Sequence, residues 1–310
     1  MDCMADRPGL GRRLRRARRR LLFLAVRSVL RLAGFRHAMA IGSLFGELQF
    51  RLAPRRRRRL QADMARALGR PADDAHVAAQ LREAYRVNGG AVFEILAMFD
   101  RRQPEAELAA RCEVDGLDRL RTALAGGRGA ILLASHMGNA ALLTIRLVQA
   151  GWPVSVVYRQ SRMGSAGFFE TGLAHYGIEP ILANAGIRAY AQMLAALKRG
   201  RVVFMMIDQG VRHAEDGVMV RFLGKDVPMA AGPAQLARSA RAPLLPVATT
   251  AVRPQWRFTI EAPVPLGTAS LEDDLAALVA TTERHVLAHP QLWSWPHRRW
   301  RKARPVVTGG

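Results

Sequence analysis

The chain has 310 residues, enough for one large domain or two small ones with a full core, and half of them are hydrophobic, which excludes a disordered tail protein. A formal net charge of +22 and a pI near 11.6 point to an anionic partner such as nucleic acid, anionic lipid or an acidic protein. Two cysteines, Cys3 and Cys112, lie far apart with no CxxC spacing, so no disulfide framework or zinc ribbon follows from them, and a reducing cytoplasm fits.

The charge is concentrated at one end. Residues 1–60 hold 17 arginines, no lysine and three acids, a net +14. The run RRLRRARRRLLFLAVRSVLRLAG opens like a signal peptide, but Arg27 breaks its apolar stretch after six residues, too soon for a signal-peptide core or a spanning helix. At helical period Arg13, Arg16, Arg20, Arg27 and Arg31 share one face, and Leu14, Leu22, Ala25, Val29 and Leu32 the other. This pattern predicts a basic amphipathic helix lying in a membrane interface. With the second apolar segment AMAIGSLFGELQF and the run from Pro54 to Arg59, it predicts a helical hairpin dipped into the bilayer surface. Each arginine near an anionic leaflet contributes about 1 kcal/mol. The alternative is a solvated charged face on a helix that packs onto the main domain. Nucleic acid is not the expected partner, because the basic runs lack interleaved aromatics and no zinc-finger, RRM or helix-turn-helix pattern follows.

From about Asp73 strand-like and helix-like runs alternate. GAILLAS (129–135), PVSVVY (153–158), VVFMMID (202–208) and APLLPVATTAV (242–252) read as buried strands, and WRFTIEAPV (256–264) as an edge or half-exposed one. NAALLTIRLVQAG, IRAYAQMLAALKRG and GPAQLARSA read as helices. The expected fold is α/β, a single domain at 73–305 with a central sheet flanked by helices, preceded by basic amphipathic helices over 1–72 and followed by a tail, 306–310.

In such sheets functional residues sit where strands end and helices begin. Ser135 and His136, Tyr158 and Arg159, and Asp208 and Gln209 fall at three such places, and the alternative for each is a loop residue that caps a helix. His285 and His289 have metal-binding i, i+4 spacing, but no third ligand is apparent, and a helix C-terminus followed by Pro290 explains them as cations at the dipole, so no metal is expected. GGRG at 126–129 lacks the Lys-Ser/Thr of a P-loop and the context of a dinucleotide fingerprint. Trp293, Trp295 and Trp300 are candidates for interfacial anchors or core, and the neighbouring HRRWRK favours a headgroup-facing surface.

Four blocks taken in order resemble the membrane-associated lysophospholipid acyltransferases, in the branch that adds secondary acyl chains late in lipid A biosynthesis. They are HMGN after an apolar strand, VYRQ with Arg159, the long run from Asp208 and Gln209 through FLG and GPA, and the ending HPQLWSWPHRRWRK. The resemblance covers roughly Asp73 to Pro305. It implies transfer of a fatty acyl group from acyl carrier protein or acyl-coenzyme A to a hydroxyl of a membrane lipid, a lipid A precursor or a related lipid. It also implies a peripheral or shallowly inserted place on the cytoplasmic face of the inner membrane, against an anionic surface, with no cofactor. His136 and Asp208 are its candidate catalytic residues, and Gly138, Asn139, Arg159 and Gln209 its candidate substrate-binding residues. The basic surface suits an acidic carrier protein.

The family's motif closes with an acid five positions after the histidine, where this chain has Ala141. Three readings follow. Asp208 supplies the carboxylate from a neighbouring strand; His136 works alone, held by a backbone carbonyl, Asn139 or Ser135; or the chain is a non-catalytic homologue that binds lipid or carrier protein.

Overall fold

The computed structural model describes residues 10–159, 167–211 and 214–296, with side chains from Leu21 onward. The side chains of Leu14, Arg13, Arg16 and Arg20, the end of the last block with Trp300, and the 306–310 tail lie outside the described residues.

Four helices open the fold: α1 (Leu10–Ala33), α2 (Phe35–Leu52), α3 (Pro54–Ala67) and α4 (Ala75–Asp100). A short α5 (Glu105–Ala109) leads to β1 (Cys112–Asp115) and α6 (Leu117–Leu124). Strand and helix then alternate through β2 (Ala130–Ala134), α7 (Ala140–Gln149), β3 (Val154–Tyr158), α8 (Phe168–Ala174), β4 (Glu179–Leu182), α9 (Ile187–Lys198) and β5 (Val202–Met206). A hairpin of β6 (Val218–Phe222) and β7 (Lys225–Met229) precedes α10 (Gly232–Ala240), β8 (Leu244–Ala251), β9 (Trp256–Ile260) and α11 (Leu271–Ala288).

Seven strands form one sheet in the order β1-β9-β8-β2-β5-β3-β4, all pairs parallel except β8 with β9. This is the expected α/β architecture. The central strands β2 (AILLA) and β5 (VVFMM) are continuous apolar runs because helices cover both of their faces. WRFTI alternates because Trp256, Phe258 and Ile260 point into the core while Arg257 faces out; β9 is half-exposed, but it lies between β1 and β8 and is not an edge.

The N-terminal helices depart from their expected arrangement in two ways. In α1 the packed face carries Phe23 and Leu30, and Arg27 and Arg31 both pair with Asp100 at the end of α4. The predicted polar face is therefore partly pinned to the body, while the predicted apolar face, with Leu22, Val29 and a 90 % exposed Leu32, is open. The second apolar segment is not free to dip as a whole either. Gly42 and Gly46 of α2 press against α4 so closely that a Cβ on Gly46 would lie 2.0 Å from the Tyr85 carbonyl oxygen, and one on Gly42 2.3 Å from that of Gly89. Arg82 of α4 and Arg51 hold the Glu47 carboxyl of α2 down at about 2. Only the outer stripe of α2 stays open, with Leu44, Leu48 and Leu52 at 71, 49 and 72 % exposure. Four arginines of the α3 run, Arg55, Arg56, Arg58 and Arg59, are exposed. Among the described residues no helix is long and apolar enough to cross a membrane.

Candidate active site

The site follows from strand register. In the parallel pair of β2 and β5, Ala134 stands opposite Met206, so the residues two further on, His136 and Asp208, leave the sheet side by side. Arg159 follows β3, the other neighbour of β5, at the same edge.

Asp208 is fully buried. Its Oδ1 lies 2.6 Å from Nδ1 of His136, and its Oδ2 accepts from the His136 backbone N–H at 3.0 Å and from the Trp293 indole N–H at 2.8 Å. With the carboxylate on Nδ1, the neutral ring carries its proton there and leaves Nε2 as an acceptor. The Gln209 side-chain nitrogen sits 2.8 Å from that Nε2 and donates to it. Asp208 therefore stands where an orienting acid is needed, and the alanine at 141 leaves the ring held all the same.

The loop that carries His136 is fastened from several sides. The Thr249 hydroxyl donates to the Met137 carbonyl at 2.9 Å, the Gly138 N–H to Leu292 O at 3.1 Å, and the Ser294 N–H to His136 O at 2.9 Å. Gly138 has φ +61°, and a Cβ there would meet the Trp256 ring at 2.3 Å, so both conformation and space demand glycine. Asn139 caps α7, accepting from the Leu142 N–H at 3.2 Å, and donates to Glu94 Oε2 at 3.1 Å. Its side chain is wholly buried, and these two bonds shape the loop from beneath.

Glu94, an acid inside the apolar stretch GGAVFEILAMF of α4, completes that underside. Besides Asn139 it accepts from the Trp256 indole N–H at 2.6 Å and from Arg111 at 2.6 and 3.2 Å. A buried carboxylate is tolerable only when donors replace its lost water, and here three side chains do so. Sequence reasoning missed Glu94, Arg111, Trp256 and Thr249. A lone acid in an apolar helix was the available signal for the first.

His136 opens onto a cavity of about 530 Å³, within the roughly 300–1,000 Å³ usual for ligand pockets. Gly138, Arg159 and Gln209 line it with His136, and Val92, Ile95 and Phe99 of α4 and Met193 of α9 give it an apolar wall. Of the six predicted site residues, four thus line one cavity, Asp208 stands behind the histidine, and Asn139 lies below. Ala140 and Ala141, the first two residues of α7, line the cavity as well. First-turn N–H groups have no partner within their helix, and Asn139 caps only Leu142, so this helix end offers donors to a developing negative charge. Burial and the neighbouring Glu170 push the Tyr158 hydroxyl above its usual range, leaving it a neutral lining group.

The residues set aside stay apart from this centre. His285 lies against Glu261 at 3.0 Å, burial lowers the affinity of His285 and His289 for a proton, against their expected place as cations at the helix end, and among the described residues no metal-binding cluster occurs. The expected headgroup-facing role of Trp293 and Trp295 is overturned: both are completely buried, their rings edge to face at 4.8 Å.

Residues 11–302 match the family of bacterial lipid A biosynthesis acyltransferases. The chain is similar to the phosphatidylinositol mannoside acyltransferase of Mycobacterium tuberculosis (strain H37Rv), 28 % identical over 250 residues, covering 78 % of this chain and 76 % of that protein. The protein of the same name from Mycolicibacterium smegmatis is 25 % identical over 253 residues, covering 78 % of each. The chain belongs to the lipid A biosynthesis acyltransferase family and is an acyltransferase by that membership.

Proposed function

We propose that this member of the family moves a fatty acyl group from a thioester, on acyl carrier protein or coenzyme A, to a hydroxyl of a membrane lipid, with His136 as the base. The observation that carries the reading is a buried carboxylate on one nitrogen of an imidazole whose other nitrogen faces an apolar cavity.

The acceptor hydroxyl replaces the Gln209 amide at Nε2 of His136. As its oxygen attacks the thioester carbonyl, Nε2 takes the proton and Asp208 stabilises the imidazolium. The carbonyl oxygen, now negative, turns toward the N–H groups at the start of α7. Collapse breaks the C–S bond, and the departing thiolate takes the proton from Nε2, leaving ester and free thiol. Arg159 at the cavity rim draws anionic parts of either substrate.

The acceptor fits a lipid A precursor or a related lipid, a class to which the names of the mycobacterial relatives add a phosphatidylinositol mannoside. The open leucines of α1 and α2 and the exposed arginines of α3 support a peripheral seat on an anionic leaflet, which we place at the cytoplasmic face because the thioester donors are made there, and the net charge of +22 favours encounter with an acidic carrier protein. The Asp208–His136 contact supports catalysis over a purely binding role, since that alternative drew on the alanine at 141.

The test is purified full-length protein with acyl carrier protein and coenzyme A thioesters over vesicles of extracted bacterial lipids. We expect a new lipid ester in the native protein and its loss in His136→Ala. No ester with any pair, or an unaffected His136→Ala, overturns the reading.

A further inference from the structure

We propose that Trp293 is a positioning residue of the His136–Asp208 pair, acting through its indole N–H, so that the site has a third member from the far end of the chain. The inference rests on the proposed role of His136.

The segment 292–294 touches three successive residues of the catalytic loop, His136, Met137 and Gly138. Trp293 forms an antiparallel bridge with Met137, the residue after the base, and its neighbours take the Gly138 N–H and supply the donor to His136 O. The same residue sends its indole N–H 2.8 Å to Asp208 Oδ2, the oxygen that also receives the His136 backbone N–H. Its own carbonyl accepts from Asn88 of α4 at 3.1 Å, which ties it to the helix that walls the cavity. Phe222 at 5.8 Å and 75° and Trp295 at 4.8 Å and 89° pack the bicycle edge to face, fixing where the N–H points.

Packing alone would be served by any large apolar ring. The N–H does something further. The torsion of the Asp208 carboxylate decides whether an oxygen lies in line with Nδ1 of His136. A donor locked onto Oδ2 sets that torsion and leaves Oδ1 aimed at the ring, which in turn keeps the proton on Nδ1 and the lone pair on Nε2. Without the indole N–H the carboxylate keeps the His136 backbone donor but loses one of the contacts that hold its torsion.

The test uses Trp293→Phe in the full chain, with β-(3-benzothienyl)alanine at 293 as a second variant that keeps the bicycle and removes only the N–H. Loss of a hydrogen bond to a charged group predicts a fall in kcat of about 10- to 100-fold with donor KM unchanged. In an Asp208→Asn background the same change should cost less than threefold, because its effect runs through Asp208; a merely structural tryptophan would cost the same in both backgrounds. Nitrogen-15 spectra of the His136 ring give a readout without turnover: the native protein shows the Nδ1–H form, and the variants show a mixture of tautomers. Equal losses in both backgrounds, or an unchanged tautomer signal in the benzothienyl protein, overturn the proposal. If the native protein makes no ester, the proposed function fails, and the ring spectra still decide the role of Trp293.

Discussion

Asp208 Oδ1 lies 2.6 Å from His136 Nδ1, though 72 positions separate the two residues in the chain. The pairing of Ala134 with Met206 brings them together, so the orienting acid is a property of two adjacent strands and not of one helical turn. A carboxylate at position 141 would find Nδ1 already taken.

Ala141→Glu therefore restores nothing. The new carboxylate would enter the cavity beside the first-turn N–H groups of α7 and compete for them with the developing oxyanion. Steady-state rates with a fixed thioester should fall about tenfold or more, as for loss of an oxyanion donor. A rise in rate would mean that Asp208 does not hold the ring.

Gly46→Ala should loosen the clasp of α2 on α4, because its Cβ would sit 2.0 Å from the Tyr85 carbonyl oxygen, and backbone cannot swing aside as a side chain can. A loss of about 1–3 kcal/mol is expected in urea unfolding. An unchanged midpoint would show that the two helices do not touch as described.

Membrane seating is best examined with point changes, since removing α2 would strip a face of α4. Leu32→Asp combined with Leu44→Asp and Leu52→Asp leaves the packed faces intact and charges the open ones. Burial of one leucine side chain is worth about 1.5–3 kcal/mol, so flotation with anionic vesicles should weaken more than tenfold while the unfolding midpoint holds. Equal flotation of variant and native protein would remove these helices from the interface.

Much of this was legible in the chain. Apolar runs marked the strands because a sheet covered on both faces needs them, and polar residues after those runs marked the edge that carries the candidate site. His136, Asp208, Arg159 and Gln209 were found that way. What periodicity does not carry is which face of a helix is packed: α1 turns Phe23 and Leu30 inward on the same side as Arg27 and Arg31, which meet Asp100, a partner about 70 residues away. Glu94 stood out as a lone acid in an apolar helix, but its partners did not. Its donors come from β9, the start of α7 and the approach to β1, and no local pattern announces a contact among positions 94, 111, 139 and 256. Trp293 was misread because aromatics beside a basic run suit a membrane interface as well as a core, and the acid that claims its N–H lies 85 positions away.

The most direct test of the central claim is the acyl-transfer rate of Asp208→Asn beside native protein, with folding checked by thermal unfolding. An amide in place of the carboxylate keeps the shape but loses the charge that stabilises the imidazolium and fixes its tautomer, and kcat should fall about 10⁴-fold, with donor KM little changed. A variant that folds and works within about twofold of the native rate would contradict the account.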